Sequence, residues 1–259
     1  MAFETLELTR DGAIATLTLK RPEALNSLNA RMIQELGECL SGIRDDSAIR
    51  CLLVTGAGKA FVAGADIKEM DERDPATGKQ MAEEGQRVFQ MLQELPFPSI
   101  AVINGFALGG GFELALACDF ILAAKTAKLG TPEVTLGLIC GYGGTQRLPR
   151  AVGKSLARMI TLTGDIYSAE QMEKWGVVAM TFDPAALMDE AKKIAQKICA
   201  RSPKAIKLTK QAIARGTDQT LVEGLKLEAE LFRQAFVSED KREGIRAFIE
   251  KRAPQFTGR

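Results

Sequence analysis

Apolar runs that end in turns alternate with segments of helical periodicity along most of the chain. Residues 3–9 and 13–19 flank the turn-forming pair Asp11-Gly12, and this pattern predicts a β-hairpin. Three later apolar runs predict buried strands, at residues 51–56, 99–105 and 120–124. Because short connections join the strands to helical segments, we expect an α/β fold with parallel strand pairing.

Helical spacing is clear between residues 30 and 42, where Met32, Leu36 and Leu40 recur on one face. A more polar helix is expected at about residues 76–94. Further along, Ser168 is typical of a helix N-cap, and the pattern predicts a short helix from there to Gly176.

From about Pro184 the pattern becomes almost wholly helical. The predicted helices cover residues 184–200, 203–215, 217–236 and 239–251. This change predicts a core at residues 1–195 and a C-terminal helical region at residues 196–259.

Composition excludes several classes of protein. A formal charge of +1 over 259 residues argues against nucleic-acid binding and attachment to an anionic membrane. No apolar run approaches the roughly 18 residues that cross a bilayer. The five cysteines form no C-x-x-C pair and the N-terminus resembles no signal peptide, so we expect a cytoplasmic location. The absence of histidine excludes Ser–His catalysis and histidine-ligated metal, and no metal site is expected.

Two glutamates stand out because each follows a turn that opens a helix. Glu113 comes directly after the glycines of GGGFELA, and Glu133 lies in LGTPEVTLG. If a helix begins near Gly110, its first N–H groups are unpaired and point toward developing negative charge. Two carboxyl groups in one pocket suffice to move a proton and activate water. Each segment alone also fits an ordinary helix start with a solvated acid.

A third candidate is AFVAGAD, which covers residues 60–66. We interpret it as a loop of small residues in which the Ala65 amide can closely approach a ligand and Asp66 begins the next turn. The alternative is an ordinary loop that follows a strand.

Together these segments resemble the crotonase (enoyl-CoA hydratase/isomerase) family, over nearly the whole chain. The motifs that carry the resemblance are LKRPEALNSLN, LVTGAGKAFVAGADIKEM, AVINGFALGGGFELALACD, LGTPEVTLGL, GGTQRLPRAVGKSLA and KREGIRAFIEKR. The resemblance implies a spiral of ββα units with two roughly perpendicular sheets and a C-terminal helical region that joins trimers, which commonly pair into hexamers. It also implies an acyl-CoA thioester substrate and no cofactor, since coenzyme A is part of that substrate.

The resemblance further implies roles for individual residues. Ala65 and Gly110 would supply the oxyanion-hole amides, Glu133 would protonate Cα, and Glu113 would hold and activate the water that adds at Cβ. The CoA moiety would be contacted by Glu23, Ala24, Leu25, Ala63, Asp66, Ile67, Lys68, Phe232 and Lys251.

The implied activity is reversible hydration of short-chain 2-trans-enoyl-CoA in fatty-acid β-oxidation or related acyl-CoA degradation. Relatives usually carry Pro at position 140 and a small residue at 142, where this chain has Cys140 and Tyr142. We expect Tyr142 to narrow the acyl pocket, although a neutral loop variation fits equally well. The alternatives are double-bond isomerisation, hydration of a branched or cyclic enoyl-CoA, or a non-catalytic acyl-CoA-binding or RNA-binding protein on the same fold.

Overall fold

The computed structural model describes residues 3–72 and 74–259, which form an α/β fold with two sheets. The larger sheet has the strand order β1-β2-β3-β5-β7-β10. These strands are Leu6–Asp11 (β1), Ile14–Leu19 (β2), Cys51–Gly56 (β3), Ser99–Ile103 (β5), Phe120–Ala124 (β7) and Met180–Phe182 (β10). The β1–β2 hairpin is antiparallel and every other pairing in this sheet is parallel, as predicted from the short connections.

The smaller sheet has the order β4-β6-β8-β9. Its strands are Ala60–Val62 (β4), Phe106–Leu108 (β6), Lys128–Gly130 (β8) and Ile166–Ser168 (β9). The prediction that residues 60–66 form a loop is therefore wrong for the first three of them. A three-residue strand is too short to show an alternating pattern, and only its pairing with β6 defines it.

Eleven α-helices lie within the described residues. They are Ala30–Ile43 (α1), Ile67–Asp71 (α2), Gly78–Gln93 (α3), Gly110–Ala117 (α4), Gly144–Val152 (α5), Lys154–Thr163 (α6), Ala169–Lys174 (α7), Leu187–Cys199 (α8), Pro203–Gly216 (α9), Leu221–Phe236 (α10) and Glu239–Ile249 (α11). Short 3-10 helices occupy Pro22–Ala24, Pro75–Thr77 and Pro132–Leu136.

The core is built where helices cover the larger sheet. All residues of β3 and β5 are buried, which explains their unbroken apolar sequence. Helix α8 packs against β2, β3, β5 and β7. The predicted boundary at residue 195 therefore lies inside a helix that packs on the sheet, while α9 and α10 pack mainly on each other. The division into two regions stays a prediction.

Local signals at the helix ends agree with the sequence. The Ser168 hydroxyl accepts a hydrogen bond from the Gln171 amide, so this residue caps α7 as predicted. Helix α10 begins at Leu221 rather than 217, because Thr220 and Glu223 form a capping box that fixes its start. None of the helices in the described part of the chain has the length and apolar character needed to cross a bilayer.

Candidate active site

One cavity of about 520 Å³ brings together the residues singled out from the sequence. Its wall includes Glu113, Glu133, Ala65 and Gly110. Four segments meet there: the loop after β4, the start of α4, the 3-10 helix after β8 and the loop before α5. The long-range contacts of the fold thus place two carboxyl groups beside two backbone segments that are separated widely in sequence.

Steric contacts explain why glycine occupies the start of α4. Gly109 has φ of +51°, a conformation that favours glycine, and its ideal Cβ position lies only 3.1 Å from Glu133 Oε1. A Cβ on Gly111 would overlap the carbonyl oxygen of Val62 in β4. The first turn of α4 can therefore reach both β4 and the Glu133 carboxyl only because these positions carry no side chain.

Glu113 is buried, with 1% of its surface exposed. Its Oε1 accepts hydrogen bonds from the backbone N–H groups of Tyr142 (2.8 Å) and Gly144 (2.6 Å). Burial raises the pKa of Glu113 to about 7, an effect that the two N–H donors oppose and that the neighbouring Glu133 carboxyl increases. This carboxyl group is consequently held in place while it titrates near neutral pH.

Glu133 lies in the 3-10 helix that begins at Pro132. Both of its carboxyl oxygens are buried and have no hydrogen-bond partner within residues 3–72 and 74–259. Burial raises the pKa of Glu133, and the Cys140 thiol lies near enough to oppose that rise. The Thr131 side chain, at the N-cap position of this 3-10 helix, makes no capping hydrogen bond.

Ala65 and Gly110 both line this cavity. The Leu28 N–H donates to the Gly64 carbonyl (2.8 Å), and the Asp66 N–H donates to the Leu28 carbonyl (2.9 Å). This parallel bridge does not use the intervening Ala65 N–H. Gly110 is the first residue of α4, where helix geometry offers no internal acceptor. In the described chain neither amide donates to a protein acceptor, so both are available to a ligand oxygen.

The residues expected to contact the substrate lie in different places relative to the cavity. Ala63, Ile67 and Tyr142 line the cavity, whereas Glu23, Ala24, Leu25 and Lys68 lie outside its wall. The Leu25 carbonyl accepts from the Ala63 N–H (3.1 Å), so the turn at 23–25 adjoins the cavity loop. The Asp66 carboxylate is engaged by Arg21 at 3.0 Å. Phe232 and Lys251 are exposed on the C-terminal helical region, away from the cavity wall, and their CoA contacts stay predictions.

Sequence reasoning missed most of the apolar wall. Its members come mainly from the segment around α3 and from the residues after Glu133; they include Met70, Pro75, Met81, Ala82, Leu138 and Ile139. A signal was present in α3, whose buried residues Gly85, Val88, Phe89 and Leu92 follow helical spacing. The segments after Asp66 and after Leu136 carry no comparable pattern.

Comparison with known proteins agrees with this geometry. Residues 9–259 match the model of the enoyl-CoA hydratase/isomerase family. The chain is 40% identical to crotonyl-CoA hydratase of Syntrophomonas wolfei over 99% of both chains. It is 42% identical to short-chain-enoyl-CoA hydratase of Clostridium acetobutylicum over 97% of both. The crystal structure of enoyl-CoA hydratase from Bacillus anthracis superposes with a TM-score of 0.96 at 38% identity, over 99% of this chain and 100% of that one.

The chain therefore belongs to the enoyl-CoA hydratase/isomerase family and has the crotonase fold. The predicted fold class, α/β with two sheets and C-terminal helices, is confirmed. Between residues 3 and 259, position 73 apart, no group of three or more acidic or cysteine side chains is placed to hold a metal ion.

Proposed function

We propose that this protein is an enoyl-CoA hydratase that reversibly adds water to short-chain 2-trans-enoyl-CoA and gives 3-hydroxyacyl-CoA. The observation that carries the proposal is the meeting of Glu113, Glu133 and the amides of Ala65 and Gly110 in one cavity. Relatives over the full length of the chain are named short-chain and crotonyl-CoA hydratases, which supports the same activity.

The two carboxyl groups carry out the proton transfers of the reaction. Two buried acids in one cavity oppose double ionisation, and burial raises the pKa of each. Two close N–H donors stabilise an ionised Glu113, whereas no hydrogen bond of such length reaches the buried oxygens of Glu133 within the described residues, where its own N–H and the Cys140 thiol lie nearby. We therefore assign the proton to Glu133 in the hydration direction.

The two acids then act on the two carbons of the double bond. Glu113 takes a proton from water as the water oxygen bonds to Cβ, and Glu133 gives its proton to Cα. The C=C π bond breaks and its electrons pass toward the thioester carbonyl, where the N–H groups of Ala65 and Gly110 stabilise the negative oxygen. A proton transfer from Glu113 to Glu133 restores the starting state. Each lost amide donor is expected to cost on the order of 3 kcal/mol.

An absorbance assay of the enoyl thioester tests the function directly. The substrate panel covers linear chains of C4 to C10 together with branched and cyclic enoyl-CoA. We expect crotonyl-CoA to be hydrated and Glu133→Gln to lower kcat by about 10²–10⁴-fold. Near-wild-type hydration by that variant would overturn the assignment of Glu133.

The same panel separates the alternatives. An isomerase would convert 3-enoyl-CoA without consuming water, and a hydratase of branched or cyclic substrates would prefer those members. A non-catalytic protein would bind acyl-CoA and turn over none of the panel. The intact Glu113 favours hydration, because isomerases that resemble this family typically lack the first glutamate.

We propose a homotrimer, or a hexamer of two trimers, assembled through the C-terminal helices. Large apolar side chains on α10 and α11 are exposed in the single chain, including Leu221, Phe232, Phe248 and Ile249. Exposed apolar side chains that form a contiguous patch mark protein interfaces. Light scattering on the purified protein tests the assembly. A cytoplasmic location, a role in fatty-acid β-oxidation and the absence of any cofactor beyond the substrate's own CoA belong to the same proposal.

A further inference from the structure

The Tyr142 side chain forms part of the cavity wall close to the catalytic groups. The residue is 6% exposed, and its ring packs edge-on against Phe89 with ring centroids 5.4 Å apart. On its other side, the ideal Cβ position of Gly110 lies 3.2 Å from the ring atom Cδ2. The ring therefore stands directly beside one of the two amides assigned to the thioester carbonyl.

Gly85 of α3 provides the space into which this ring fits. A Cβ at position 85 would overlap ring atoms of Tyr142. Gly85 is buried in the middle of α3, where glycine costs helix stability by about 1 kcal/mol relative to alanine. Neither a turn nor a positive φ requires glycine at that position, since α3 is regular there. The ring is the group that requires it.

Behind the ring lies a second, much smaller cavity of about 20 Å³. Leu28, Ile33 and Glu84 line it, and Tyr142, Met70 and Met81 line both this cavity and the main one. Tyr142 is thus part of the partition between the two spaces. Removal of its ring would leave a void comparable with the roughly 150 Å³ cavities that hold benzene, and would join the two spaces.

We infer that Tyr142, seated against Gly85, closes the inner end of the acyl channel and limits the substrate to short acyl chains. This inference rests on the proposed function and names the residue pair that sets its chain-length range. The hydrogen bond to Glu113 comes from the backbone N–H of Tyr142, which every residue except proline retains. The ring can therefore be removed without loss of that hydrogen bond.

The central experiment measures chain-length preference in Tyr142→Ala. The readouts are kcat/KM for crotonyl-CoA and 2-octenoyl-CoA, and Kd for the unreactive butyryl-CoA and octanoyl-CoA by calorimetry. We expect the C8-to-C4 ratio to rise by at least tenfold in both readouts, since one methylene group in an apolar pocket is worth roughly 10–200-fold. The matched control is Tyr167→Ala, which truncates a tyrosine that packs on Trp175 outside the cavity and should leave the ratio unchanged.

A double-mutant cycle that combines Gly85→Ala with Tyr142→Ala tests the contact between Gly85 and the tyrosine ring. In the wild-type background this substitution forces the ring to move, so Tm should fall and the C8-to-C4 ratio should change. In the Tyr142→Ala background the clash is absent and the same substitution should have little effect on either. Additive effects of the two substitutions would overturn the inference.

The remaining outcomes are also decisive. An unchanged C8-to-C4 ratio in folded Tyr142→Ala overturns the inference while crotonyl-CoA hydration by the wild type upholds the function. If the wild type hydrates no enoyl-CoA, the function fails, and the Kd ratios still test the inference; wild-type protein that binds neither acyl-CoA overturns both. Should Tyr142→Ala fail to fold, Tyr142→Leu retains apolar packing and carries the same measurement.

Discussion

Two buried glutamates of this chain behave in opposite ways. Glu35 in α1 and Glu113 in α4 are each 1% exposed, but Glu35 lies just beneath the surface beside the half-exposed Arg31, whereas Glu113 lies deeper in the protein. Burial raises the pKa of Glu35, but hydrogen bonds from the Thr5 hydroxyl and the N–H groups of Glu4 and Thr5, with Arg31 beside them, lower it below its ordinary value. Burial raises the pKa of Glu113 to about 7, and two N–H donors do not reverse that.

The comparison shows that burial alone does not decide what a carboxyl group does. Glu35 has a cation and a full set of donors, so it stays ionised and joins the N-terminal segment to α1. Glu113 has no cation among its hydrogen-bond donors, and burial first, with the neighbouring Glu133 carboxyl second, raises its pKa to about 7. The substitutions that follow separate these two roles.

The largest expected effect is the loss of activity in Glu113→Gln. We expect kcat for crotonyl-CoA to fall by about 10²–10⁴-fold because the group that takes the proton from water is gone. Glu35→Gln changes an equally buried glutamate outside the cavity and should retain wild-type kcat. Loss of activity in both variants to the same extent would mean that the defect comes from folding rather than from proton transfer.

The next effect is on the pH dependence of the free energy of unfolding, to which Glu113 and Glu35 contribute with opposite sign. The folded-state pKa of Glu113 is raised from 4.5 to about 7, so the folded protein binds more protons than the unfolded chain in this window. Its contribution to the free energy of unfolding falls as pH rises from about 4.5 to 7, by roughly 3 kcal/mol. Glu35 has a lowered pKa, so its contribution is present at neutral pH and is lost on acidification.

Denaturant unfolding between pH 2.5 and 8 measures both trends. Relative to the wild type, Glu113→Gln should become more stable as pH rises through this range. The free energy of unfolding of Glu35→Gln should be lower than that of the wild type at neutral pH, and this difference should disappear as the pH falls below the ordinary range of a glutamate pKa. A constant difference from the wild type at all pH values would contradict either assignment.

A smaller effect is expected on stability at neutral pH. Hydrogen bonds to a charged group contribute about 1.5–3 kcal/mol, so Glu35→Gln should lower the free energy of unfolding by that order. The matched control is Glu38→Gln, an exposed glutamate of the same helix, which should change stability by less than about 0.5 kcal/mol. Equal effects of the two substitutions would show that the contacts of Glu35 contribute little.

The smallest effect concerns the loop that holds Glu113. The Arg147 side chain donates to the Tyr142 carbonyl and to the Gln93 side chain, each at 2.9 Å. Arg147→Gln should destabilise the protein by about 1–3 kcal/mol and shift the acidic limb of the pH profile of kcat, because the amides that hold Glu113 lose their anchor. An unchanged pH profile with lowered stability would restrict Arg147 to a structural role.

The sequence predicted the long elements of the fold well, for physical reasons. Strand β3 is buried on both faces and so reads as an unbroken apolar run, and α1 shows its buried face at helical spacing. The strands β4, β6 and β8 contain three residues each and are defined by partners far away in sequence. No local pattern distinguishes such strands from loops.

The candidate site divides in the same way. Glu113 and Glu133 could be found because glycine and proline at helix starts leave a local signature. The ion pair between Asp66 and Arg21 could not be predicted, because it depends on how two loops meet in the folded chain. Helical spacing placed Gly85 on the buried face of α3, but the reason for a glycine there is visible only when the ring against it is seen.

Tyr142 has two structural roles: its backbone N–H donates a hydrogen bond to Glu113, and its ring forms part of the cavity wall. A change at this position made to broaden the substrate range acts on the same loop that orients the proton acceptor. Helix α3 offers a separate route, because Gly85 touches the ring and is not among the hydrogen-bond donors of Glu113. Engineers who wish to retune selectivity without loss of turnover should therefore begin on α3, one layer away from the chemistry.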